Sequence, residues 1–217
     1  MNPTQPLEAW QLFTRLGEAQ ILLPLALFVV LMMVRRLADR SMAMQWLVLL
    51  AAAVVLTTAT KVAFIGWGVG STSLDFTGIS GHAMFAAAVY PLVLAALLPV
   101  TATRARAVGI AAGGLLALMV GVSRVVVDAH SVSEVVAGLV LGGAVSAATL
   151  RRGPPQLRLN PWLAPFAALW LFSTPVVAPP SQTHSMVTRL ALALSGHPLP
   201  YTREALRPGG VSVPGRS

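Results

Sequence analysis

Seven residues from four separate stretches of the chain have types that could do chemistry together. They are Lys61; Ser80, Gly81 and His82; Arg124, preceded by Ser123; and His130 with Glu134. Two cations, two imidazoles and a carboxylate suit an anion with several oxygens, of which phosphate is the obvious one. Lys61 and Arg124 would neutralise it, the Arg through its planar fork and the Lys as a point charge. The main-chain N–H groups of Ser80, Gly81 and His82 would point outward from a helix N-terminus, where the dipole favours negative charge. Gly81 would let the backbone approach closely. His130 and Glu134 are spaced i,i+4 and share one helical face. Glu134 can accept a proton from one ring nitrogen and leave the other free to attack phosphorus. His82 could then protonate a leaving alkoxide. This chemistry requires no metal and no cofactor, and the absence of Cys excludes thiolate metal sites and disulfides.

Each residue has a plainer reading when taken alone. Lys61 and Arg124 could snorkel to a membrane interface, and either His could be an ordinary helix-start or loop residue. Glu134 is different, because a carboxylate within an apolar stretch is expected to be paired or functional. These are nearly the only ionisable residues near the apolar stretches of the chain, and that coincidence favours the functional reading.

The elements that must position them follow from composition. Of 217 residues, 56% are hydrophobic and 10% charged, with a mean hydropathy of +0.75. A soluble domain carries about 25% charged residues, so lipid must cover much of this surface. Spanning helices need about 20 mostly apolar residues. Six candidates are legible, near Ala19–Val34, Ser41–Ile65, His82–Val100, Ala107–Val126, His130–Leu150 and Pro161–Ala178. The fold class expected is an all-α polytopic membrane bundle of about six transmembrane helices. Residues 1–18 read as an interfacial segment and 19–180 as the membrane domain. Residues 181–217 read as an amphipathic segment followed by a loose tail, Pro- and Gly-rich over its last twenty residues. The N-terminus has no basic region of the kind that opens a cleaved signal peptide. Gly109, Gly113, Gly138 and Gly142 recur at helical spacing, as close helix packing requires.

The net charge of +8 does not form the basic stripe of a nucleic-acid binder. Fourteen of the fifteen basic residues are Arg, and eight of them flank the spans on one side: Arg35, Arg36, Arg40, Arg104, Arg106, Arg151, Arg152 and Arg158. Asp39 is the one acid among them. The positive-inside rule makes that side cytoplasmic. Lys61, His82, Arg124, His130 and Glu134 then gather on the outer side, which the short loops and Arg bias identify as the periplasmic face of a bacterial inner membrane.

The motifs also carry a family resemblance. Ser123-Arg124, followed by His130 and then Glu134, resembles the S-R-x5-H-x3-D motif of the type-2 phosphatidic acid phosphatase superfamily. Ile79-Ser80-Gly81-His82 resembles its P-S-G-H motif, and Lys61 resembles the lysine opening its K-x6-R-P motif. The resemblance spans roughly Lys61 to Leu150. It implies a six-helix membrane enzyme that dephosphorylates lipid phosphates without metal, through a phosphohistidine. It also implies that His130 is the nucleophile, Glu134 its orienter and His82 the acid, with Lys61, Ser80, Gly81 and Arg124 binding phosphate. Three departures stand out: Glu134 replaces Asp, Ile79 replaces Pro, and the R-P of the first motif is absent, with no replacement evident in the sequence.

Two other classes compete. Gly78-Ile79-Ser80-Gly81 matches the G-x-S-G of rhomboid-like intramembrane serine proteases, but that reading leaves Lys61, Arg124, His82 and Glu134 without a role. A non-enzymatic transporter of anions or lipids could hold the same charges, but would be expected to show paired broken helices near the midplane.

Overall fold

A computed structural model describes residues 5–98, 103–151, 153, 155, 169 and 181–206. Its helices are α1 (Gln5–Thr14), α2 (Ala19–Val34), α3 (Arg40–Trp67), α4 (Gly81–Ala96), α5 (Thr103–Val126), α6 (Val132–Leu150), α7 (Thr183–Ser195) and the single turn α8 (Arg203–Leu206). Short 3-10 turns at Arg15–Gly17 and Leu37–Asp39 precede α2 and α3. The chain is an all-helical integral membrane bundle. Among the described residues, four stretches are long and apolar enough to span: Leu7–Val34, Leu37–Trp67, Thr103–Val126 and Val132–Leu150.

Helix α4 is the exception that explains the architecture. It is apolar but only 16 residues long, and it ends at Ala96, short of the Val100 expected. Its side chains are buried on every face, as befits a helix that is hydrophobic all round. It packs against α5 and α6 most extensively, and also against α2 and α3. Small residues allow this. A side chain on Gly113 would strike the backbone at Pro91, one on Gly109 the Leu94 carbonyl, one on Gly138 the carbonyl of Ser80 just before α4, and one on Gly142 the Met84 carbonyl within it. Close packing, the role expected of these four glycines, is therefore the role they have. The indole of Trp46 donates to the Ala88 carbonyl at 3.1 Å, and the Tyr90 hydroxyl to the Leu16 carbonyl at 2.7 Å, so the polar atoms of both large side chains are satisfied within the core.

Four helix ends meet at one end of the bundle: the C-termini of α3 and α5 and the N-termini of α4 and α6. Arg35, Arg36, Arg40, Arg104, Arg106 and Arg151 lie toward the other. The candidate span near Pro161–Ala178 falls almost entirely outside the described residues. The loose tail expected at the C-terminus does not hold for residues 198–206. Tyr201 donates its N–H to the Ile65 carbonyl at 2.9 Å, and Tyr201 and Leu206 pack on a small core of Val62, Phe64, Ile65, Val187 and Ala191. The apolar residues of α3 and α7 create that core, and the tail covers it.

Candidate functional site

The site is built on how α5 ends and α6 begins. Val126 closes α5, and Asp128 adopts a left-handed conformation with φ 54°. The chain turns back there, so the N–H groups of Ala129 and His130 both donate to the Arg124 carbonyl, at 3.0 and 3.2 Å. Ser131 then caps α6. Its hydroxyl accepts from the Glu134 N–H at 3.4 Å, while the Glu134 carboxylate accepts from the Ser131 N–H at 3.2 Å. This reciprocal capping box fixes the Glu134 rotamer at the start of the helix. The Ser131-x-x-Glu134 spacing is the signal of it in the sequence, alongside the His130–Glu134 spacing.

Glu134 is fully buried. His130 Nδ1 lies 2.6 Å from its Oε2. Thr77 donates to Oε1 through both its N–H (2.6 Å) and its hydroxyl (2.5 Å). Arg203 Nη2 reaches Oε2 at 2.8 Å. Sequence reasoning found neither partner. Thr77 carries no charge to mark it, and Arg203 lies in the stretch read as loose. A buried carboxylate without such donors would be strongly destabilising.

The segment leading into α4 is tied to both neighbours. Ile79 N–H donates to Thr60 Oγ1 on α3 at 3.1 Å, and Ser80 N–H to the Glu134 main-chain carbonyl at 3.1 Å. Gly78 has φ 145° and lies so close to Lys61 that a side chain would press on it. The Ser80 N–H is therefore engaged, contrary to the expectation that it faces an anion. The N–H groups of Gly81 and His82, in the first turn of α4, remain available. Gly81 has only an ordinary contact with Thr57 on its Cβ side, so the close approach expected there involves open space.

The cations lie at the same end of the bundle. Arg124 Nη1 donates to Thr14 Oγ1 at 3.0 Å, so the N-terminal segment orients the guanidinium; α1 packs along α5. The 3-10 turn at Gly17 backs directly onto the His82 ring. Lys61 is partly buried, forms no ion pair among the described residues, and lies in the fields of Arg124 and Glu134. His82 likewise lies in the fields of Arg124, Lys61 and His130. The structure therefore brings all seven expected residues to one end of the bundle. At His130, burial is the largest influence and pushes the pKa below the ordinary imidazole value, against the opposing pull of the Glu134 hydrogen bond.

Ser80 Oγ and Arg124 Nε, like Thr57 Oγ1 beside Gly81, are buried donors without a partner among the described residues. Buried polar groups are rarely left unpaired, and both suit an oxyanion. The Ser80 hydroxyl is hydrogen-bonded to neither imidazole, so the Ser–His dyad of a serine protease is not formed.

Comparisons with known proteins bear on the family and the fold. The family model described as the PAP2 superfamily matches residues 60–157. A Klebsiella pneumoniae protein named "Uncharacterized 22.5 kDa protein in cps region" is 37% identical over 204 residues, covering 91% of this chain and 97% of that relative. Among solved structures, a transmembrane PAP2-type phosphatidylglycerolphosphate phosphatase from Bacillus subtilis superposes with a TM-score of 0.55. It is 24% identical, over 74% of this chain and 82% of its own, a likeness that speaks to the fold.

Proposed function

The chain belongs to the PAP2 superfamily, and from that premise we propose that it is a membrane phosphatase acting on a lipid phosphate or pyrophosphate through a phosphohistidine. The observation that carries this reading is the pair of buried donors without a partner among the described residues, Ser80 Oγ and Arg124 Nε, together with an imidazole whose Nδ1 is already held by Glu134.

In the proposed mechanism, Lys61, Arg124, the Ser80 hydroxyl and the N–H groups of Gly81 and His82 bind the phosphoryl oxygens. With a proton on Nδ1 shared with Glu134, the lone pair on Nε2 of His130 attacks phosphorus. The phosphorus–oxygen bond to the lipid breaks, and His82 donates a proton to the departing oxygen. Water then attacks the phosphohistidine, gives its proton back to His82, and releases phosphate. Placing the site at a helix-end face lets the head group reach it while the tail stays in the bilayer.

The Arg residues at the far end of the bundle support a periplasmic active site in a bacterial inner membrane. The test is phosphate release from a panel of purified lipid phosphates, phosphatidylglycerol phosphate among them, with EDTA present. Release by wild type and none by His130→Ala is expected. No release from any member of the panel would favour the non-enzymatic reading, and activity that disappears with EDTA would contradict the metal-free mechanism.

A further inference from the structure

Most donors on the Glu134 carboxylate come from the core of the bundle: Thr77, His130 and Ser131. One comes from the far end of the chain. Arg203 opens α8, and its guanidinium is held on two sides, with Nη1 2.6 Å from Asp75 Oδ2 and Nη2 2.8 Å from Glu134 Oε2. The segment that carries it is anchored independently. Tyr201 bonds the Ile65 carbonyl, its ring covers Gly68, and Leu206 sits against Gly70. Asp75 takes the left-handed conformation, φ 47°, at the tip of the hairpin that Ser71 and Phe76 close with paired 2.9 Å hydrogen bonds. Arg203 therefore bridges the rim of the α3–α4 connection and the wholly buried carboxylate beneath it.

We propose that the C-terminal segment from Gly196 to Leu206 is part of the active site, and that Arg203 is the positioning residue through which it acts. Arg203 locks Glu134 so that the carboxylate receives Nδ1–H of His130 and Nε2 is presented to phosphorus. The chemistry of the shared oxygen supports this. Glu134 is buried, and a neutral His130 does not cancel its charge; Lys61 contributes only its field, so without Arg203 the anion would have no cation in hydrogen-bonded contact. A guanidinium on the oxygen that also faces Nδ1 makes that oxygen a weaker proton acceptor, which leaves His130 less basic. This happens in a chain that lacks the arginine expected downstream of Lys61. The proposal rests on the phosphatase reading only for its kinetic consequence.

Around the His130 ring, the groups that set its titration are Lys61 from α3, His82 from α4, Arg124 from α5 and Glu134 from α6; Arg203, with Asp75 behind it, acts through Glu134. The test is histidine-labelled NMR titration of the full-length protein in detergent, with the His130 signal assigned by its loss in His130→Ala. Arg203→Ala is expected to move the His130 midpoint upward, with Arg203→Lys intermediate. Asp75→Asn, which removes only the outer anchor, is expected to move it the same way but less, and serves if Arg203→Ala does not fold. An unchanged midpoint in folded Arg203 variants would overturn the proposal. In parallel, kcat of Arg203→Ala should fall about tenfold to a hundredfold with little change in KM, and partial recovery is expected in Arg203→Lys. Turnover without a midpoint shift would overturn the positioning role of Arg203 and leave the phosphatase reading standing. A midpoint shift in a protein that hydrolyses no lipid phosphate would do the reverse.

Discussion

The main-chain N–H of His130 donates to the carbonyl oxygen of Arg124 at 3.2 Å. The proposed nucleophile and the proposed phosphate-binding cation are thus registered by the way one helix ends. The turn depends on Asp128 holding φ 54°, a region that a β-branched residue enters only with strain. Asp128→Gly and Asp128→Asn should retain activity within about threefold, since Gly and Asn tolerate this region. Asp128→Val should lose about tenfold or more, because it adds roughly 1–2 kcal/mol of strain at the turn. Steady-state kinetics on the three variants would check this. Equal losses in all three would mean that the Asp128 charge, and not its backbone, matters.

Glu134→Asp would restore the residue usual in the resembled motif, yet activity is expected to fall. The Glu134 carboxylate reaches Thr77 with one oxygen and His130, Ser131 and Arg203 with the other. A side chain one methylene shorter cannot keep all of these. Losing one hydrogen bond to the charged group is worth about 1.5–3 kcal/mol, or roughly tenfold to a hundredfold. Full activity in Glu134→Asp, measured as kcat/KM, would show that the carboxylate position is not restrictive.

Arg124→Ala should lower kcat about a hundredfold to a thousandfold, as removal of an oxyanion donor does. Thr14→Val keeps the cation and removes only its 3.0 Å hydrogen bond, so a loss of about tenfold or less is expected. That ordering is the diagnostic. A Thr14→Val variant as impaired as Arg124→Ala would make the N-terminal contact the dominant element.

The pH dependence follows from His130. Burial pushes its pKa below the ordinary imidazole value of 6.5, against the raising effect of the Glu134 hydrogen bond. The neutral ring is the nucleophile, so activity is lost as pH falls through the folded-state pKa and is present above it. The acid limb of kcat/KM, which reports the free enzyme, should lie below pH 6.5. A limb centred above that value would contradict the assignment.

The sequence made legible what charge makes conspicuous. In so apolar a chain, Lys61, Arg124 and Glu134 are rare enough within helices to be noticed, and counting spans brings them to the same end as His82 and His130. Helix α2 was also readable to its ends, because Glu18 and Arg35 bracket an uncharged run. The end of α4 was not, since hydrophobicity continues past Ala96 and gives no stop signal. Thr14 and Thr77 are ordinary polar residues whose importance arises from partners more than fifty positions away. Arg203 sits among prolines and glycines without periodicity, and only the packing of Tyr201 and Leu206 on α3 reveals where it goes. That Ser80 N–H is engaged depends on a contact between helices that no local pattern encodes.

The most direct measurement is rapid alkaline quenching of the full-length protein during turnover of a lipid substrate labelled with radioactive phosphate, followed by peptide mapping. A labelled phosphohistidine at His130, absent from His130→Ala, is the expected result. Steady hydrolysis with no label on His130, or with label on another residue, would contradict the account.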